Sequence, residues 1–333
     1  MATHFILFTV FYLFFHLQKG CEMKLVFMGT PEFSATILTE ILNSEHQVVG
    51  VVTQPDRPAG RGHKLKAPPV KVIAKQANIP VLQTEDLQHP DFLAQLQELE
   101  ADLYVVVAFS ILPKCVLEIP PLGSVNLHGS LLPKYRGAAP IQWAIANGES
   151  ETGITIFQLD EKMDHGPILC RARLPIAASD HSGSLFAKMA ELGKKEMLRA
   201  LAKIASGNFQ TLEQNHSEAT RAPKLKKIDG LLDWSKSAEN LSYLIRAFFP
   251  WPCCYGSFRG KGFKILEAKV GGETPFPSNL KLGELYFSEN KELFVKVGDG
   301  LLQILSLQLE GKKPMTPAEF YNGLQDRGNL ILE

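Results

Sequence analysis

MKLVFMGTPEFSATILTEILNSEHQVVGVVT, residues 23–53, is the stretch from which the fold is read. Lys24 to Met28, apolar after its first residue, has the character of a parallel strand buried on both faces. Gly29 supplies a sharp turn, Thr30 is placed to cap a helix, and Pro31 suits that helix's first position. Phe33, Ile37, Leu38, Ile41 and Leu42 then fall on one helical face, and Gln47 to Thr53 reads as a second strand. A strand, helix and strand in this order predict an α/β domain, Rossmann-like, with a mostly parallel sheet. One glycine at the first turn is not the GxGxxG fingerprint, so a dinucleotide is not implied.

Outward from this opening, Pro69–Ala77 and Pro90–Leu99 are helical in pattern and Asp102–Phe109 is a strongly apolar central strand. Thr152–Gln158 and Ile168–Leu174 read as further strands. Ser182–Ala205 is a long amphipathic helix with Leu185, Met189, Leu192, Met197, Leu201 and Ile204 toward the core. Residues 207–227 are polar and irregular, the expected linker. Beyond it, Trp234–Ala247 reads as a helix. Five short strand-like runs follow, Cys254–Phe258, Phe263–Val270, Glu284–Tyr286, Leu293–Val297 and Leu301–Leu309, with a late helix at Pro317–Gly323. Short strands at this spacing predict a small C-terminal β-barrel of the oligonucleotide-binding type. The expected organisation is therefore an extension over 1–22, a catalytic domain over 23–206, a linker over 207–227 and a barrel over 228–333; a chain of 333 residues exceeds what one core usually holds.

The chemistry concentrates in SVNLHGSLLPKYRGAAPIQWA, residues 124–144. A short strand, Ser124–Leu127, breaks at Gly129, so Asn126 and His128 point to the same side of a strand end. A single histidine there is more often a satisfied structural residue. An amide donor beside an imidazole, however, is equipment for reaction at a carbonyl, one polarising the oxygen and the other carrying a proton.

Asn126 to Pro133 followed by Tyr135 to Ile141 resembles the signature of the folate-dependent formyltransferases, and among them those acting on methionyl-tRNA. Gly153 to Gly166, GITIFQLDEKMDHG, resembles that family's second signature, and the likeness runs from about Met23 to the C-terminus. The resemblance implies transfer of a formyl group from 10-formyltetrahydrofolate to the α-amino group of methionine on initiator methionyl-tRNA, for translation initiation. It implies Asn126 and His128 as stabilisers of the formyl oxygen and Asp164 as the acid that favours the imidazolium and relays a proton. Ser130, Leu131, Leu132 and Pro133 would lie against the folate, although Leu131 and Leu132 can equally pack the loop down. Phe109–Leu112 would line the pterin site, one residue shorter here than in those relatives. Arg136 can meet a folate glutamate tail or a tRNA phosphate. The reaction needs no metal, and the nine histidines show no ligand spacing.

Gln54–Lys66, QPDRPAGRGHKLK, is a Pro- and Gly-rich loop with Arg57, Arg61, Lys64 and Lys66 and few acidic neighbours; no regular element suits it. Its charge fits either a solvated loop or an anion-binding one, and the resemblance places it against the acceptor end of the tRNA. The chain is neutral overall, yet residues 221–269 carry ten Lys or Arg against four Asp or Glu, a modest sign of a polyanionic partner. Another enzyme on the same scaffold, formylating a small amine such as a glycinamide ribotide or amino sugar or hydrolysing the formyl group, and a catalytically silent nucleic-acid-binding protein, are the rival readings. The basic loop and the residues after 228 speak against the first, and the Asn126, His128 and Asp164 set against the second.

Five scattered cysteines without CxxC spacing argue against a disulfide framework and for a reducing compartment, the cytoplasm. A monomer with no membrane partner is the separate expectation. Phe5 to Leu17 is nearly continuous apolar sequence, as in a signal-peptide core, but lacks a basic start and a small-x-small cleavage site. Met23 is the expected physiological start, with residues 1–22 an over-extended reading frame and targeting the alternative.

Overall fold

A computed structural model describes residues 22–59, 64–207, 209–272, 276–326, 328 and 330–333. The expectations for residues 1–21 lie outside the described residues. Contacts group the chain into two compact units. Among the described residues, one comprises those up to Lys134 with Gly153–Arg173 and Ala187–Ala219; the other comprises those within Tyr135–Thr152, Leu174–Phe186 and Thr220–Glu333.

β1 (Lys24–Gly29), α1 (Glu32–Leu42) and β2 (Gln47–Thr53) form as expected, with β1 and β2 parallel. Leu25 to Met28 are wholly buried, which is what an unbroken apolar strand between two covered faces requires. Gly29 matters for close approach: a Cβ there would lie 2.6 Å from the Ser34 Cβ and 2.9 Å from the Val107 oxygen. Thr30 does not cap α1. Pro31 holds the N-cap position without a side-chain bond, and the Thr30 hydroxyl instead accepts from the Gln54 amide at 3.4 Å. The helix start is thus set by backbone geometry and by a contact 24 residues away.

The chain continues through the ribbon β3 (Arg57–Ala59) and β4 (Lys64–Lys66), then α2 (Pro69–Gln76), β5 (Val81–Gln83), α3 (Pro90–Glu98), β6 (Leu103–Val107), α4 (Lys114–Leu117), β7 (Ser124–His128), α5 (Pro140–Ala146), β8 (Glu151–Gln158), β9 (Ile168–Pro175) and α6 (Ser182–Ala205). The main sheet runs β5-β2-β1-β6-β7-β8-β9, parallel from β5 to β7, with β8 antiparallel to β7. The chain builds outward from β1 to β5, then restarts beside β1 at β6 and proceeds to β7. Such sheets bind ligands beyond the carboxyl ends of their strands near this reversal, and β7 ends there on His128.

In the other unit, α7 spans Ala238–Phe248 and not the longer expected run from Trp234. Asp233 accepts from the Ser235 amide and hydroxyl, and Ser237 caps α7 by accepting from the Asn240 amide; local side-chain bonds of this kind compete with helix. The strands β10 (Cys254–Phe258), β11 (Lys261–Val270), β12 (Leu285–Phe287), β13 (Leu293–Val297) and β14 (Gly300–Leu309) form an antiparallel sheet in the order β10-β11-β14-β13-β12, followed by α8 (Pro317–Gly323). The last residues join its two edges: Leu332 bridges Phe258 of β10, and Ile331 bridges Glu284 just before β12. This closes the sheet into a small barrel, and closure removes the exposed edges. Phe258, Phe263, Phe287 and Phe320 pack ring against ring within it. No helix among the described residues is long and apolar enough to cross a membrane.

Candidate active site

β7 is hydrogen-bonded on both sides, Asn126 standing opposite Val106 of β6 and Phe157 of β8, and His128 opposite Thr155. The two-residue repeat of a strand puts the Asn126 and His128 side chains on one face. Asn126 is half-buried and the His128 side chain is 6% exposed.

Asp164 comes from the turn between β8 and β9. Its φ of +51° is left-handed, a region an aspartate tolerates better than most side chains. The carboxylate reaches back so that Oδ2 lies 3.7 Å from Nδ1 of His128, an ion-pair distance, with only 13% of its side chain exposed. Two features shape the turn. Gly166 lies so close to β8 that a Cβ would sit 2.0 Å from the Gln158 oxygen. His165 Nδ1 lies 2.6 Å from Asp160 Oδ2, and its ring stacks on that of His216 at 4.0 Å between centroids.

The segment after β7 is folded down by a residue that sequence reading did not single out. The Thr155 hydroxyl donates to the Ser130 oxygen and accepts from the Leu132 amide. Ser130 is wholly buried with its hydroxyl on the Lys134 oxygen, and Leu132 is wholly buried against Phe157 and Ile168. Pro133, buried as well, follows a cis bond. Leu131 alone of the four expected folate contacts keeps a half-exposed side chain. Nothing local distinguishes Thr155 in a strand of β-formers; its role depends on lying across from His128.

The basic loop is not irregular throughout. Arg57 pairs with Lys66 across the β3–β4 ribbon, two exposed cations set directly opposite each other. Such like-charge pairing disfavours the ribbon unless an anion is near. Arg61 and the side chain of Lys64 lie outside the described residues. The ribbon's stem is fixed by Asp56, whose two carboxylate oxygens each lie 2.8 Å from Lys71 Nζ, and by Gln83, which donates to Asp56 and to the Gln54 oxygen. The Lys71 and Gln83 hydrogen bonds hold the Asp56 carboxyl below its ordinary pKa. Gln54 also donates to Ser110 at 3.0 Å, tying the stem to the loop after β6. Sequence reading missed the ribbon because its residues show no apolar alternation.

On the barrel, a cleft of about 670 Å³ is lined by Trp251 and Tyr255 with Lys227, Lys261 and Lys264, and by the carboxylates Glu310 and Glu333. Trp251 is 56% exposed.

The donor set at β7 suits a carbonyl group: an amide and an imidazole on one face of a strand end, with a carboxylate behind the ring. Residues 23–201 match the formyl transferase family, and residues 224–325 match the formyl transferase C-terminal domain. The methionyl-tRNA formyltransferase of Desulfotalea psychrophila is 42% identical over 313 residues, covering 94% of this chain and 96% of that protein. That of Pseudomonas paraeruginosa is 44% identical over 306 residues, covering 92% and 97%. Among solved structures, HypX from Aquifex aeolicus in complex with tetrahydrofolic acid superposes with a TM-score of 0.60 at 19% identity, over 90% of this chain and 47% of that one, a likeness of fold. With both matched regions in their expected order and this identity along nearly the whole length, the chain belongs to the formyl transferase family, within the group formed by the methionyl-tRNA formyltransferases.

Proposed function

We propose that this chain transfers the formyl group of 10-formyltetrahydrofolate to the α-amino group of methionine carried by initiator methionyl-tRNA, with Asn126, His128 and Asp164 as the reacting groups. The observation that carries the assignment of residues is the approach of Asp164 Oδ2 to His128 Nδ1, 3.7 Å, on the side of β7 that also presents Asn126. The folate derivative supplies an activated formyl group when bound. In the transfer a bond forms between the amine nitrogen and the formyl carbon, the bond from that carbon to N10 breaks, and one proton passes from the amine to N10. Negative charge develops on the formyl oxygen as the amine attacks. The Asn126 amide and a protonated His128 ring stabilise that charge. Asp164 orients the ring, stabilises its positive charge and accepts the amine proton on its way to N10.

The tRNA is held by cationic surface. Arg57 and Lys66 of the ribbon, with Arg61 and Lys64 between them in sequence, meet phosphates of the acceptor end. The barrel cleft, which joins exposed Trp251 to three lysines, suits a base stacked beside its phosphate. The protein works in the cytoplasm as a monomer, with domains at 23–206 and 228–333 joined by 207–227.

The deciding experiment offers 10-formyltetrahydrofolate with methionyl initiator tRNA, methionyl elongator tRNA or small amines such as amino sugars. Formylation of the initiator alone is expected; preference for a small amine, or no transfer at all, rejects the reading. In the same assay the double replacement Arg57→Glu and Lys66→Glu is expected to raise KM for the tRNA about tenfold and flatten its salt dependence, with KM for the folate within about twofold. An unchanged KM for tRNA removes the ribbon from the interface.

A further inference from the structure

From Thr211 to Glu218 every residue is exposed except Gln214, which is 4% exposed. The pattern inverts hydropathy, since Leu212, two residues before, is 62% exposed. A polar side chain drawn out of a solvated segment into the protein must satisfy its hydrogen bonds there. The Gln214 amide does so on the turn that carries Asp164. Nε2 donates to the Asp164 oxygen at 3.0 Å and to the Gly166 oxygen at 2.7 Å. Both N–H groups of one nitrogen are thereby spent on two carbonyls that flank His165, an arrangement that also settles which end of the amide is nitrogen. The backbone fixes this register: Leu212 and Ile168 exchange amide-to-carbonyl bonds of 2.8 Å in both directions, and the antiparallel continuation sets 214 opposite 166.

We propose that Gln214 is a positioning residue for formyl transfer, its amide clamping the Asp160–Gly166 turn so that the Asp164 carboxylate stays beside His128. The inference rests on Asp164 being a reacting group. Asp164 is left-handed, at φ +51°, a conformation an aspartate tolerates at some cost, which neighbouring contacts offset. Two bonds from a single buried donor supply that hold. Asparagine is one methylene too short to reach both oxygens, and leucine fills the space with no donor. Gln214 bonds backbone oxygens of the turn and acts through the place of a carboxylate.

The test compares the full-length protein with Gln214→Leu, Gln214→Asn, Asp164→Asn and the double variant Gln214→Leu/Asp164→Asn. For each, kcat, both KM values and the pH profile of kcat are measured. Gln214→Leu is expected to lower kcat on the order of ten- to a hundredfold, with both KM values within about threefold and a displaced pH profile. Gln214→Asn, the milder change, falls between Gln214→Leu and the parent. In the Asp164→Asn background the leucine replacement is expected to change kcat by less than about threefold, because groups acting through one another are not additive. Equal losses in both backgrounds, or Gln214→Leu and Gln214→Asn at parental kcat while Asp164→Asn is inactive, overturn the role of Gln214 and leave that of Asp164 intact. Parental turnover in Asp164→Asn overturns the reading of the carboxylate, and this inference with it.

Discussion

Asn126→Ala is expected to lower kcat for formyl transfer by roughly a hundredfold to a thousandfold, the usual consequence of losing one preorganised donor to a developing oxyanion. The fold has little reason to respond. Asn126 lies near the carboxyl end of β7, and its backbone pairs with β6 and β8 whatever the side chain, so the ladder survives truncation. Its half-buried side chain faces the side that His128 and Asp164 occupy. The melting temperature and the affinity for the folate should therefore stay close to those of the parent while single-turnover formylation collapses. Asn126→Asp should be at least as poor, since it replaces the donor with negative charge facing the oxygen it must stabilise. Turnover within about fivefold of the parent in Asn126→Ala would remove the amide from the mechanism and leave His128 as the only side-chain donor assigned to the oxyanion.

Removing residues 330–333 is the change expected to cost most stability. The Leu285 amide donates to the Leu330 oxygen at 2.7 Å, the Leu332 amide to Gly283 at 2.8 Å, and Ser257 and Glu333 exchange bonds of 2.7 and 2.9 Å. Leu332 is 2% exposed. Four backbone bonds at about 0.5–1.5 kcal/mol each and one buried leucine at about 1.5–3 kcal/mol sum to roughly 4–9 kcal/mol. That is a large part of the ~5–15 kcal/mol that holds a typical domain together. Two sheet edges, β10 and β12, would also open to pairing with other chains. Thermal denaturation should show the barrel melting at least ~15 °C lower, with aggregation, and Leu332→Ala should reproduce about 2–4 kcal/mol of the loss. A truncated protein that melts within a few degrees of the parent would show that the five strands close without this segment.

Elements written in local pattern were legible from sequence. β1, α1 and β2 follow from a buried apolar run, one helical face and a second run, and α6 begins and ends at Ser182 and Ala205 because its apolar period and length are its own. The boundaries that failed were settled by distant or competing bonds. Thr30 binds the Gln54 amide where a cap was expected, and Asp233 and Ser235 form a turn that delays α7 to Ala238. The β3–β4 ribbon has no alternation to read and is anchored through Asp56 by Lys71 and Gln83, the latter 27 residues away.

By itself the sequence determined the succession of strands and helices, the chemical types at residues 126, 128 and 164, and the family to which they belong. These are properties of residue type and local period. Tertiary structure alone decided that Asp164 stands 3.7 Å from His128, that Gln214 is drawn inward while Leu212 is left in water, and that Ile331 and Leu332 close the barrel. Each of these joins residues dozens of positions apart, so its energy is realised only when the chain has already brought both partners together.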